Sequence, residues 1–199
     1  YPTGEDDKKG EAFSGEAGKV LMDNIKLAGL YPARLTSVIR CSPYEGKEPG
    51  QDDIYACRGY LSQEIMEHKP LFLVATVGMA LKVLTNKTGI TTWSWRIAGE
   101  IKRIPVLGLL HPAYIVRSGD YDGFRKDCIA LREVSDTISL FKKHFPEASI
   151  KDAEGFTVPE SIKAVDPEDR EAEMMLKFKA RLRAHLMGEV PRLLKEKKK

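Results

Sequence analysis

The sequence predicts an α/β fold, an open parallel sheet with helices on both faces. Two runs, PLFLVATVG (70–78) and RIPVLGLLHP (103–112), are almost uninterruptedly apolar, as strands buried on both faces are. A third, RLTSVIRC (34–41), is short and rich in β-branched residues, which favours a strand. Helical patterns separate the three, and strand alternating with helix gives a parallel sheet covered on both sides.

The elements follow in order. Within residues 17–30 apolar side chains recur at helical spacing, at Val20, Leu21, Ile25 and Leu27, and Gly29 is placed to end that helix. After the 34–41 strand comes a Pro/Gly-rich loop, SPYEGKEPG (42–50). Asp52 and Asp53 then open the helical pattern IYACRGYLSQEIMEH, where acids complement the positive end of a helix. Gly78 turns the 70–78 strand into another helix, MALKVL. A polar stretch with Trp93, Trp95 and Arg96 precedes the third strand, which stops at His111-Pro112, and a long helix runs from about Tyr121 to Phe145. Residues 146–166, with Pro146, Gly155 and Pro159, read as a linker; 167–189 read as a helix, acidic at its start and basic at its end. The expected organisation is a domain over 1–145, a linker over 146–166 and a basic helical extension over 167–199.

Composition narrows the class. A chain of 199 residues, 42% hydrophobic and 31% charged, can build one real core and is not wholly disordered. No apolar run approaches the roughly 20 residues of a spanning helix, so no membrane partner is expected. Three cysteines, Cys41, Cys57 and Cys128, do not make a disulfide framework, and a reducing, cytoplasmic setting is the simplest reading. The net charge of +3 is uneven: seven Lys/Arg against two Glu lie between Arg181 and Lys199. The start at Tyr1, without Met or a leader, reads as a piece of something longer.

Ligands of such sheets sit at the carboxyl ends of the strands, so the residues there are the candidates. The opening YPTGEDDKKGEAFSGEAGK (1–19) is a Gly- and acid-rich loop, either a ligand loop or a solvated turn. His111 ends a strand, a site position, although a lone histidine is as often scaffold. Cys41 and Cys57, sixteen residues apart, would by default be buried structural thiols. The basic tail either touches phosphate or is a solvated face against another part of a longer polypeptide. Neither GxGxxG nor GxxxxGK[ST] is present, which speaks against a nucleotide cofactor of the Rossmann or P-loop kind.

In order, the chain carries Pro2, GEAFSGEAG (10–18), LTSVIRCSP (35–43), Pro49 with Cys57, VGMA (77–80), and HPAY (111–114) with Arg117. Together these resemble the uracil-DNA glycosylase superfamily, nearest to its iron–sulfur branch, family 4, over roughly residues 1–140. The resemblance implies a central parallel four-stranded sheet whose first strand would lie just before Tyr1, outside this chain. It implies excision of uracil or a related modified pyrimidine from single- or double-stranded DNA, as in base excision repair, by flipping the nucleotide out of the stack. A non-catalytic DNA-binding domain of a larger replication or repair protein is the alternative.

Site residues come with the resemblance. Phe13 matches the aromatic floor under the base, and His111 the histidine that hydrogen-bonds the leaving base. Ser37 stands where the family has an asparagine that reads the base edge with a donor and an acceptor. Its single hydroxyl is shorter and cannot make that two-point contact, so a different or enlarged base becomes conceivable. Asp6, one of the acids Glu5, Asp6 and Asp7, matches an acidic position of the first-strand motif and is the candidate for activating water. Gly78, Met79 and Ala80 match a turn that meets DNA phosphate, and Tyr114, Ile115 and Arg117 match the loop that fills the vacated stack. Cys41 and Cys57 match two ligands of a [4Fe–4S] cluster, conditional on two further cysteines upstream; Cys128 has no matching place.

Overall fold

The computed structural model describes residues 1–42, 47–94, 96–144 and 146–150. Trp95, most of the expected linker and the whole basic extension over 167–199 lie outside the described residues.

Seven helices and three strands are found among them: α1 (Gly4–Lys9), α2 (Glu16–Leu27), α3 (Gln51–His68), β1 (Leu73–Ala75), α4 (Gly78–Thr85), α5 (Ile90–Trp93), β2 (Ile97–Ile101), β3 (Ile104–Gly108), α6 (Pro112–Ser118) and α7 (Tyr121–His144). The strands form one sheet in the order β1-β3-β2. β1 and β3 run parallel, Val74 opposite Leu107, as expected of strands joined through α4. β2 and β3 form an antiparallel hairpin, so the expected all-parallel sheet is corrected to a mixed one. The reason is local: Lys102 and Arg103, the two residues between β2 and β3, both take positive φ, 48° and 68°, as a tight hairpin turn demands.

The 34–41 segment is the second correction. It is extended, with Val38 and Ile39 buried, but forms no strand among the described residues. A strand needs a hydrogen-bonded neighbour, and here the contacts go to α3 instead: Thr36 Oγ1 donates to Glu64 Oε2 at 2.6 Å and Arg40 N–H to Cys57 Sγ at 3.4 Å.

Alternation along the strands puts apolar side chains on both faces of the sheet. Leu107 and Ile97 pack with α2, α6 and α7 through Leu21, Ile25, Ile115, Phe124, Val134 and Phe141. On the opposite face Val106, Ala98 and Ala75 pack with Leu81 of α4, and beside them Leu73 and Ile104 meet Leu61 and Ile65 of α3. Helix, sheet and helix layers therefore enclose the core. Ile150, fully buried, belongs to it too, and the Glu100 carboxylate on β2 accepts from the Ile150 N–H at 2.7 Å and from the Ser149 hydroxyl. The chain thus stays on the domain through the first residues of the segment read as linker.

One close approach fixes the end of β3. A Cβ on Gly108 would lie 2.5 Å from the Trp93 carbonyl oxygen, so only glycine lets α5 lie against the strand. Leu109 N–H continues the ladder to the Ala75 carbonyl, and two residues later the strand delivers His111.

Candidate base-binding site

The opening segment builds the first wall. Thr3 caps α1 and Gly10 closes it in the left-handed region. The Asp6 carboxylate, 8% exposed, gathers four hydrogen bonds: Thr3 N–H and Thr3 hydroxyl on Oδ2, both 2.8 Å, and Ser14 N–H and hydroxyl on Oδ1, 2.7 and 2.9 Å. Burial pushes this carboxyl up, but the four donors outweigh it and hold it at about 2. These four bonds make Asp6 a clamp between Thr3 and Ser14.

The clamp grips the residue directly after Phe13, whose backbone is left-handed at φ 59°. Gly18, one turn into α2, makes that conformation sterically tolerable: a Cβ there would sit 1.9 Å from the Phe13 carbonyl oxygen. This is the physical content of the GEAG run.

His111 comes from the other side, as the N-cap of α6, with Pro112 at the first helical position. Its Nδ1 accepts from Ala113 N–H at 3.0 Å, which assigns the proton of the neutral ring to Nε2. Burial first, then the positive terminal amine and Arg117, lower its pKa. The ring is a neutral donor at neutral pH.

Phe13, Ser37 and His111, distant in sequence, line one cleft of about 410 Å³, together with Glu5, Asp6, Glu16 and Gly18 among others. Its size falls within the roughly 300–1,000 Å³ of small-molecule sites. The Ser37 hydroxyl and the Glu5 and Glu16 carboxylates have no protein hydrogen-bond partner among the described residues.

The remaining candidates divide. Of the three residues expected to enter DNA, Tyr114 is 51% exposed and Arg117 is exposed, whereas Ile115 is 4% exposed and packs in the core, so its side chain is not presented at the surface. Helical periodicity is the reason: one turn of α6 must face α2. Gly78 and Ala80 lie in the first turn of α4, with open space around Gly78.

The cysteines do not complete a cluster site. Cys41 is exposed, while Cys57 is buried with Val38, Ile39, Leu61 and Ile65. Cys128 sits in the other core cluster, its thiol pushed up to about 12 by burial and then by Asp127. Among the described residues no group of three or more His, Cys, Asp or Glu converges, and a [4Fe–4S] cluster takes four thiolates. No described helix is long and apolar enough to cross a membrane.

A sheet covered by helices on both faces carries an aromatic ring, a hydroxyl and an imidazole in one cleft. The uracil DNA glycosylase superfamily model matches residues 1–132, and the chain belongs to that superfamily. It is 28% identical over 126 residues to the type-4 uracil-DNA glycosylase of Archaeoglobus fulgidus, covering 58% of this chain and 63% of that one. To the type-4 enzyme of Sulfurisphaera tokodaii it is 34% identical over 91 residues, 44% and 41% of the two chains. It is also similar to a DNA polymerase of Bacillus phage SP01, 27% identical over 120 residues, which cover 59% of this chain and 13% of the polymerase. The chain thus spans under two thirds of the length of the first two relatives.

Proposed function

We propose that the chain is the base-binding and base-excising domain of a DNA glycosylase acting on uracil or a related pyrimidine. The observation that carries this is the convergence of Phe13, Ser37 and His111 on one cleft. An everted pyrimidine stacks on the Phe13 ring and meets Ser37 at its edge. As the glycosidic bond breaks, its electron pair passes to the base nitrogen and negative charge spreads to the carbonyl oxygens. A donor fixed at His111 Nε2 stabilises that charge, and removing one such donor costs about 3 kcal/mol in comparable sites. Water adds to the sugar carbon. Glu5 and Glu16 are the carboxylates lining the cleft whose lone pairs are open to receive its proton. Tyr114 fills the gap left in the stack, Arg117 meets the backbone, and the first turn of α4 at Gly78 and Ala80 meets a phosphate.

Cys41 and Cys57 would give half of the four-thiolate set that the iron–sulfur resemblance implies. The similarity to a phage polymerase supports a setting in which this domain serves within a longer polypeptide; a domain that binds DNA without cutting it is the alternative reading.

A uracil-containing oligonucleotide, incubated with the protein and then treated with alkali, separates the readings. Strand breaks at uracil are expected, with His111→Ala about 100-fold slower. Activity is expected to be flat through neutral pH and to fall on acidification only below 6.5, the ordinary value, because the His111 pKa is lowered. No breaks at uracil or at modified pyrimidines would leave the non-catalytic reading.

A further inference from the structure

Ser37 lies on a segment that no strand holds, yet the cleft needs it in one place. Val38 and Ile39 anchor the segment in the core on one side of Ser37, and a single carboxylate on the far side gathers its polar side chains. Glu64, in the middle of α3 and with its side chain 13% exposed, receives Arg34 Nε and Nη2 on Oε1 at 3.2 and 2.8 Å, and Thr36 Oγ1 and Arg40 Nη2 on Oε2, both at 2.6 Å. Three residues bracketing Ser37 are thus tied to one point. Successive side chains of an extended chain point to opposite sides, so Thr36 turns toward α3 and Ser37 toward the cleft it lines.

We propose that Glu64 is a positioning residue for base recognition: by holding Arg34, Thr36 and Arg40 it sets the reach of Ser37 toward the base edge. This rests on reading the cleft as a base slot. Charge-assisted bonds, two of them from Arg40 and Thr36 to the same oxygen, are the kind that fix geometry as well as add energy. Four donors hold the Glu64 carboxyl at about 2 against the upward push of its burial, so it stays an acceptor throughout the working pH range. A serine reads one atom of the base where an amide reads two, so its placement must be tighter. That is the demand Glu64 meets.

Glu64→Gln keeps the shape but replaces one acceptor with a donor, which faces either the Arg34 guanidinium or the Thr36 and Arg40 donors. Glu67→Gln, on the exposed side of the same helix, is the control. Hydrogen–deuterium exchange of the intact protein should show faster exchange in 34–41 for Glu64→Gln, carried by the Arg40 N–H that Cys57 Sγ accepts, with the β1 and β3 amides unchanged. Binding is then compared for two single-stranded oligonucleotides, one bearing 2′-fluoro-2′-deoxyuridine and one thymidine at the same position. Glu64→Gln should reduce the preference between them about fivefold, with thymidine-strand affinity within about twofold of the parent, whereas Glu67→Gln leaves both unchanged.

Exchange that rises throughout the sheet, or a preference that survives loosening of 34–41, overturns the positioning role. A parent protein that prefers one strand but never releases uracil overturns the excision reading alone. A parent without preference overturns the positioning role, and strand breaks at uracil decide the excision reading separately.

Discussion

Phe13 holds a backbone conformation that costs a non-glycine residue on the order of 1 kcal/mol, and it holds it at the wall of the cleft, where the proposed function has the base stack. Two neighbours impose it: Gly18, by leaving room, and Asp6, by gripping Ser14. Gly18→Ala should therefore lower uracil-strand binding at least tenfold and destabilise the fold by roughly 1–3 kcal/mol, read by fluorescence titration and urea unfolding. A variant with parent-like affinity would mean that the Phe13 backbone is free to move. Asp6 gives the second prediction. Its pKa falls from 3.8 to about 2 on folding, so its contribution is complete above the unfolded value and lost as pH drops through the folded one. Urea midpoints between pH 5 and pH 2.5 should fall more steeply in the parent than in Asp6→Asn, the difference amounting to about 2 kcal/mol; parallel slopes would remove the clamp. At this scale the shared cleft of Phe13, Ser37 and His111 was legible because their motifs are local. The work of Asp6 was not, since four donors from two places meet it only in three dimensions.

The helices α2, α3, α4 and α7 could be read from apolar spacing, initial acids and terminal glycines, and they form within a few residues of where those signals lie. α1 was hidden because six polar residues have no periodicity, although Thr3 and Asp6 form a capping box that could have revealed it. β2 escaped because IAGEI mixes a glycine with a charge, and its turn uses Lys102 and Arg103 where glycine or asparagine would have signalled a hairpin. In 34–41 the β-branched residues reported extension but could not report pairing, which depends on a neighbour. The two sides of α6 make a prediction of their own. Ile115→Ala should cost roughly 2–5 kcal/mol in urea unfolding. Tyr114→Ala should leave stability within about 0.5 kcal/mol and weaken DNA binding. If the two effects are exchanged, the face of α6 turned to solvent has been misassigned.

Across the molecule, two apolar layers depend on one small sheet, so distant parts share its fate. Ile150 shows how far this reaches: fully buried and held through Glu100, it ties the chain after α7 to β2. Ile150→Ala in the full chain should lower the unfolding free energy by about 2–4 kcal/mol, measured by urea titration, and a change below 0.5 kcal/mol would place that segment outside the cooperative unit. The layered architecture was legible because strand and helix alternate; how the sheet is paired was not, because pairing is a property of the assembled whole. β3 gives that whole a mechanical sense. With the Trp93 carbonyl wedged where a methyl at Gly108 would go, the strand behaves as a rigid arm braced near its tip, and the imidazole is the tip. Any bulk added at that brace would swing the imidazole relative to the cleft without touching the cleft's own lining.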